Sequence, residues 1–197
     1  MTDRSPPKSL MNMPDSNDWT IDIQPVTATD RVPSSSSNIQ FSIITHFLGD
    51  GTNLFQVSVK PHSHANEAPN KAWSFLIQVP SWMSLSPQAT IADQFLLIST
   101  HLAVALINLN TKTLLWVHDP DGYSIHKAWF TQHGLIILCE ELTILAKDVT
   151  GKKLWSHDGP DFIQSLTVKA GKIHVHWFNG AQSILDEQTG ELVHVQD

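Results

Sequence analysis

Asn108-Leu-Asn-Thr-Lys-Thr-Leu-Leu-Trp116, Asp148-Val-Thr-Gly-Lys-Lys-Leu-Trp155 and Asp186-Glu-Gln-Thr-Gly-Glu-Leu-Val193 are three versions of one phrase. Their threonines, Thr111, Thr150 and Thr189, are spaced by 39 residues, and so are Trp116 and Trp155. A period of about 40 residues marks an array of supersecondary units that bury their apolar faces against one another.

The same short strands recur around each phrase. Phe95-Leu-Leu-Ile-Ser-Thr100, Ala103-Val-Ala-Leu-Ile-Asn108 and Leu114-Leu-Trp-Val117 return as Leu135-Ile-Ile-Leu-Cys139, Leu142-Thr-Ile-Leu-Ala-Lys147 and Lys153-Leu-Trp-Ser156. They return again as Ile173-His-Val-His-Trp-Phe178, Gln182-Ser-Ile-Leu185 and Leu192-Val-His-Val195. A further strand precedes each set, near 90–91, 126–130 and 163–168. Four short antiparallel strands per repeat make one β-propeller blade. No segment sustains a period of 3.6, so almost no helix is expected.

Upstream, Trp73-Ser-Phe-Leu-Ile-Gln-Val79 belongs to the repeat, because Leu76, Leu115 and Leu154 keep the 39-residue step. Gln40-Phe-Ser-Ile-Ile-Thr45 and Leu54-Phe-Gln-Val-Ser-Val59 flank Gly49-Asp-Gly-Thr-Asn53 and read as a hairpin. The expected fold is therefore all-β: a propeller-like array of about four four-stranded antiparallel blades over residues 39–197. Propellers close with four to eight blades, so this one stands at or below the limit and an incomplete ring is one outcome.

Gly151 and Gly190 can take the positive φ of a tight turn, and the Asp or Asn ahead of them can bond the turn's backbone. Trp116 and Trp155 offer large apolar areas near a strand end, suited to packing between sheets. The phrase resembles the repeat of PQQ-type β-propellers, a WD-repeat-like architecture, whose blades carry Ala-x-Asp-x-x-Thr-Gly-x-x-x-Trp. That resemblance implies that Thr-Gly turns between the third and outer strands while Trp docks blade against blade. Asp186-Glu-Gln-Thr-Gly190 matches the turn. The second blade has Lys112 in the glycine slot, the third is one residue shorter between Asp148 and Thr150, and His194 replaces the last Trp. The resemblance spans roughly residues 70–197 and speaks for the blade rather than for a chemistry.

A formal charge of −7 with scattered basic residues argues against nucleic acid and anionic membranes as partners. Cys139, the single cysteine, lies in an apolar run and reads as a buried thiol. No apolar stretch of signal-peptide or membrane-spanning length is present, which makes a cytoplasmic, soluble protein of bacterial type the expectation. Residues 1–38 are rich in Ser, Pro, Asp and Asn and read as a disordered or strand-donating tail. Within it, Trp19-Thr-Ile-Asp-Ile-Gln24 alternates, placing Trp19, Ile21 and Ile23 on one face of a strand. This strand could dock on a partner or pair with an edge of its own domain.

Two histidine pairs, His62/His64 and His174/His176, have the spacing that puts both rings on one face, but neither has a local third ligand. The first pair reads as loop residues and the second as inter-blade or surface residues, and no metal is expected. His118-Asp119 and His157-Asp158 repeat at 39 residues, which suits turn stabilisation better than a catalytic dyad. No nucleophile elbow, phosphate loop or dinucleotide fingerprint is present. The reading is a non-catalytic protein-binding module, of accessory, scaffold or immunity type, with no cofactor. If the ring stays open, its end blades expose apolar faces and strand edges that another protein, a second copy or the Trp19 strand must cover. The alternatives are a ligand-binding or quinoprotein-related enzyme, and a structural fragment of a multi-chain propeller.

Overall fold

The structure is a computed structural model that describes residues 19–26, 52–61, 73–80, 87–120 and 123–196. The run at Gln40–Thr45, the His62/His64 pair and the remainder of the tail lie outside the described residues. Every element among the described residues is a β-strand, and they form four antiparallel sheets. The first sheet holds β1 (Trp19–Val26), β2 (Thr52–Pro61) and β3 (Trp73–Pro80), in that order. The second holds β4 (Gln88–Ala92), β5 (Phe95–Ser99), β6 (Val104–Asn108) and β7 (Thr113–His118). The third holds β8 (Ile125–Phe130), β9 (Ile136–Glu140), β10 (Thr143–Lys147) and β11 (Lys153–Asp158). The fourth holds β12 (Ile163–Lys169), β13 (Lys172–Trp177), β14 (Gln182–Asp186) and β15 (Leu192–Gln196). Each sheet is a meander of sequential strands, as a propeller blade requires.

The first sheet corrects one expectation and decides between the two readings of the Trp19 strand. Both edges of β2 are taken: β1 pairs with it from Trp19↔Pro61 to Val26↔Leu54, and β3 from Thr52↔Pro80 to Val59↔Trp73. The expected hairpin of β2 with residues 40–45 is therefore replaced by pairing with the tail. Trp19, Ile21 and Ile23 are half-buried against the core rather than presented to a partner. Their alternation is matched by Phe55, Val57 and Val59 on β2, so pairing buries all of them together.

Three apolar clusters hold the four sheets. Val57, Phe75 and Ile77 of the first sheet meet Leu96, Ile98, Ala105 and Ile107 of the second. Leu97, Val104 and Leu106 on the other side of the second sheet meet Ile136, Leu138 and Leu145 of the third. Ile137, Cys139, Ile144 and Ala146 then meet Ile173, Val175, Trp177 and Leu185 of the fourth. Successive residues of a strand point to opposite faces, so unbroken runs such as Leu96-Leu97-Ile98 and Ile136-Ile137-Leu138-Cys139 feed two interfaces at once. Among the described residues no apolar cluster joins the fourth sheet to the first, so the described sheets form an open array with two end faces.

Among the described residues the end faces are mostly polar, contrary to the expectation of apolar ones, with Leu76 on the first and Ile184 on the fourth as half-buried exceptions. Thr20, Asp22, Gln24, Gln56, Ser58 and Ser74 occupy the outer side of the first sheet, where Gln56 donates to Ser74 Oγ at 3.2 Å. Lys172, His174 and His176 alternate with buried Ile173, Val175 and Trp177 on β13, and Lys172 pairs with Asp186 at 2.7 Å. Terminal repeats of stacked arrays stay soluble in this way.

Candidate functional site

The joints between blades are built from the repeated phrase. In each complete blade the fourth strand carries a β-bulge against the third, at Leu106/Ile107, Ala146/Lys147 and Ile184/Leu185. The extra residues are Leu115, Leu154 and Val193, which keep the 39-residue step and are exposed. A bulge breaks the alternation of faces. Leu114 therefore packs toward the first sheet while Trp116, two residues on, packs toward the third.

Trp116 lies flat against the turn of the next blade: a Cβ on Gly151 would come within 2.8 Å of its ring. Trp155 meets Gly190 likewise, at 2.5 Å. Both glycines have positive φ, 87° and 70°, so they serve turn conformation and ring clearance together. Trp116 Nε1 donates to Val149 O at 3.2 Å, whereas Trp155 Nε1 is buried without an acceptor among the described residues. The first joint has neither partner: Ile77 stands one 39-residue step before Trp116, and Lys112 takes a φ of 56° in the glycine slot.

The turns are held by their first residue. Asp148 Oδ1 accepts from the Thr150 amide (2.8 Å), the Thr150 hydroxyl (2.6 Å) and the Lys152 amide (3.1 Å). Asp186 Oδ1 accepts from the Gln188 and Thr189 amides at 3.0 Å and the Thr189 hydroxyl at 3.3 Å. Asn108 Oδ1 does the same for Asn110 and Thr111 without a charge. The Lys172 ammonium, then the Thr189 amide, hold the Asp186 carboxyl down to about 2, and the Thr150 hydroxyl holds Asp148 below the usual range.

The duplicated His-Asp pairs turn out to be unlike one another. His118 reaches into the third sheet, with Nε2 2.6 Å from Glu140 Oε1 and Nδ1 3.0 Å from Lys147 Nζ. A charged Lys147 has only protons to give, so Nδ1 accepts and Nε2–H donates to Glu140. Burial lowers the Lys147 ammonium, with Glu140 opposing and Lys153 adding to the shift. In the third blade, Asp158 accepts from the Thr143 hydroxyl at 2.9 Å, and His157 lies beside Trp177. Cys139 is buried, and burial followed by Glu140 pushes its thiol up to about 12. No three His, Cys, Asp or Glu converge as a metal site among the described residues, and His174 and His176 have no third ligand there.

Neither a protein-family model nor a curated protein sequence matches the chain. Solved structures align with it at low identity. BamB from Moraxella catarrhalis shares 16% identity at a TM-score of 0.47, over 74% of this chain and 45% of that one. A europium-containing methanol dehydrogenase shares 17% at 0.46, over 57% and 25%. The computationally designed Ika8 protein shares 13% at 0.49, over 76% and 47%. The chain thus spans less than half the length of each of these three.

One surface feature was missed in the sequence. Phe162 and Phe178 are neighbours, joined by the Phe178 amide bonding Phe162 O at 3.0 Å, and they are 48% and 65% exposed. At the matching corner of the third blade stand Ser124 and Glu141, hydrogen-bonded at 2.6 Å. Each pair flanks the residue that opens the blade's first strand, Ile125 or Ile163. Comparing the two repeats residue by residue would have exposed the change from a polar pair to an aromatic one. In the sequence Phe178 reads as the end of a strand, which hides it.

Proposed function

We propose that the chain is a non-catalytic protein-binding module, and that its fourth blade makes the contact through Phe162 and Phe178. The exposed aromatic pair carries this reading. Two exposed phenyl side chains on hydrogen-bonded neighbouring residues are costly in water unless something covers them, and aromatic anchors are enriched at protein interfaces. The Ser124–Glu141 pair of the third blade supports it, because this corner of a blade can be built from polar residues. The partner is another protein or a second copy of the chain, recruited by an apolar patch at the edge of a polar end face.

The test is affinity capture with the purified chain, using wild type and the double variant Phe162→Ser/Phe178→Ser side by side, with light scattering to detect self-association. Thermal unfolding of both confirms that the variant is folded, since surface changes shift stability by about 0.5 kcal/mol or less. A partner or dimer held by wild type and lost by the variant supports the proposal. A partner set that the variant retains unchanged removes this corner from the binding surface.

A further inference from the structure

The three blade interfaces are filled differently at the end where the third and fourth strands turn. In the second blade, fully buried Leu109 fills the space, its amide donating to Gln94 O at 2.7 Å. In the fourth, buried Glu187 does so, its amide donating to Gly171 O at 3.0 Å and its Oε1 accepting from Trp129 Nε1 at 3.1 Å. The third blade is one residue shorter here, reading Asp148-Val149-Thr150, and Val149 is only half-buried. Its loop at 131–135 is also three residues longer than the turns at 93–94 and 170–171. The shortened turn and the longer loop border a cavity of about 320 Å³ between the second and third blades.

Phe95, Phe130, Leu135 and Val149 give this cavity an apolar wall, and Asp93 and Asp148 line it as well. Folded interiors are close-packed, and an apolar hole of about 150 Å³ already admits benzene, so this one has room for a ring and a short chain. Its lining includes two carboxylates and His133 but no Lys or Arg. All three bonds accepted by the Asp148 carboxylate go to Oδ1. A cation is thus favoured at the polar end and an aromatic ring beside the two phenylalanines.

We propose that this cavity is a binding site for a small arylalkyl ammonium, with the ring among Phe95, Phe130, Leu135 and Val149 and the ammonium at Asp93 and Asp148. The site lies between two blades and is separate from the aromatic corner of the fourth blade. Its occupancy would brace the joint that lacks a full plug.

Calorimetric titration of the full chain tests this with three probes: 2-phenylethylammonium, the neutral 2-phenylethanol and the anion 3-phenylpropionate. The ammonium binds, the alcohol binds about tenfold more weakly for want of the charge-assisted bond, and the anion does not bind. Asp93→Asn brings the ammonium toward the alcohol's affinity and leaves the alcohol unchanged. Val149→Phe fills the space and removes both. Equal binding of ammonium and alcohol, binding of neither, or ammonium binding that survives Val149→Phe in a folded variant would each overturn the proposal. Should Val149→Phe fail to fold, wild type against Asp93→Asn still decides it.

Discussion

The third and fourth blades share one repeated phrase, yet β9 is buried at every residue while β13 alternates between buried and open. The backbones are alike and the neighbours are not. A sheet packed on both sides needs an unbroken apolar run, and a sheet packed on one side needs alternation. Ile136-Ile137-Leu138-Cys139 against Lys172-Ile173-His174-Val175-His176-Trp177 therefore states each blade's place in the array. The first sheet repeats the lesson at the other end, with Gln56 and Ser58 set between Phe55, Val57 and Val59.

The two faces of β13 give the largest test. Trp177 is fully buried, its Nε1 bonded to Ser183 Oγ at 2.9 Å, so Trp177→Ala should destabilise by about 3–5 kcal/mol. His176→Ala on the open face should stay within about 0.5 kcal/mol in the same denaturant titration. A large loss at His176 would mean that the end face is covered in solution, and the contrast between the blades would fail.

The joint between these blades is tested by glycine. Gly134 and Gly190 have similar φ, 75° and 70°, but only Gly190 has a ring within reach of a Cβ. Gly134→Ala should cost about 1 kcal/mol for its left-handed backbone. Gly190→Ala should cost about 1–3 kcal/mol more, because Trp155 must shift. Equal losses in thermal unfolding would show that the ring is not held against the turn.

A smaller effect belongs to the first joint, where no Trp docks and the turn is relaxed only in part. Lys112→Gly should raise stability by about 0.5–1 kcal/mol, since Gly meets a φ of 56° without the Cβ clash. Destabilisation would show that the lysine side chain holds the turn.

Smallest, because solvent screens a carboxylate at the surface, is a pH effect at the fourth blade's turn. Asp186 titrates at about 2 when folded and about 4 when unfolded, so its contribution is complete above about pH 4 and fades as pH falls through 2. Asp186→Asn should flatten that acid limb in melts run between those pH values, making the turn resemble that of Asn108. An unchanged limb would show that Lys172 and the turn amides do not favour the charged carboxylate.

Much of the array was legible because its cause is local and repeated. Thr111, Thr150 and Thr189 mark turns that each blade forms from its own residues, and Trp116 and Trp155 point to a neighbour at a fixed step. The first sheet was less legible, because β2 had two suitors and the distant Trp19–Val26 strand matched its alternation better than the nearby run. Glu140 and Lys147 lie on different strands from His118, so no spacing along the chain announced their network. Phe162 and Phe178 were hidden for the same reason: they are 16 residues apart and meet only where two strands are hydrogen-bonded.

The amino-acid order by itself determined the all-β character, the 39-residue blade, the turn residues and the tryptophans that dock, since each is set by short-range backbone chemistry copied from repeat to repeat. Only the tertiary structure decided which strand completes the first sheet, that both end faces are mostly polar, and where a shortened turn borders a cavity between two blades. These depend on which sheets become neighbours, and in an open stack that is settled by packing rather than by sequence distance.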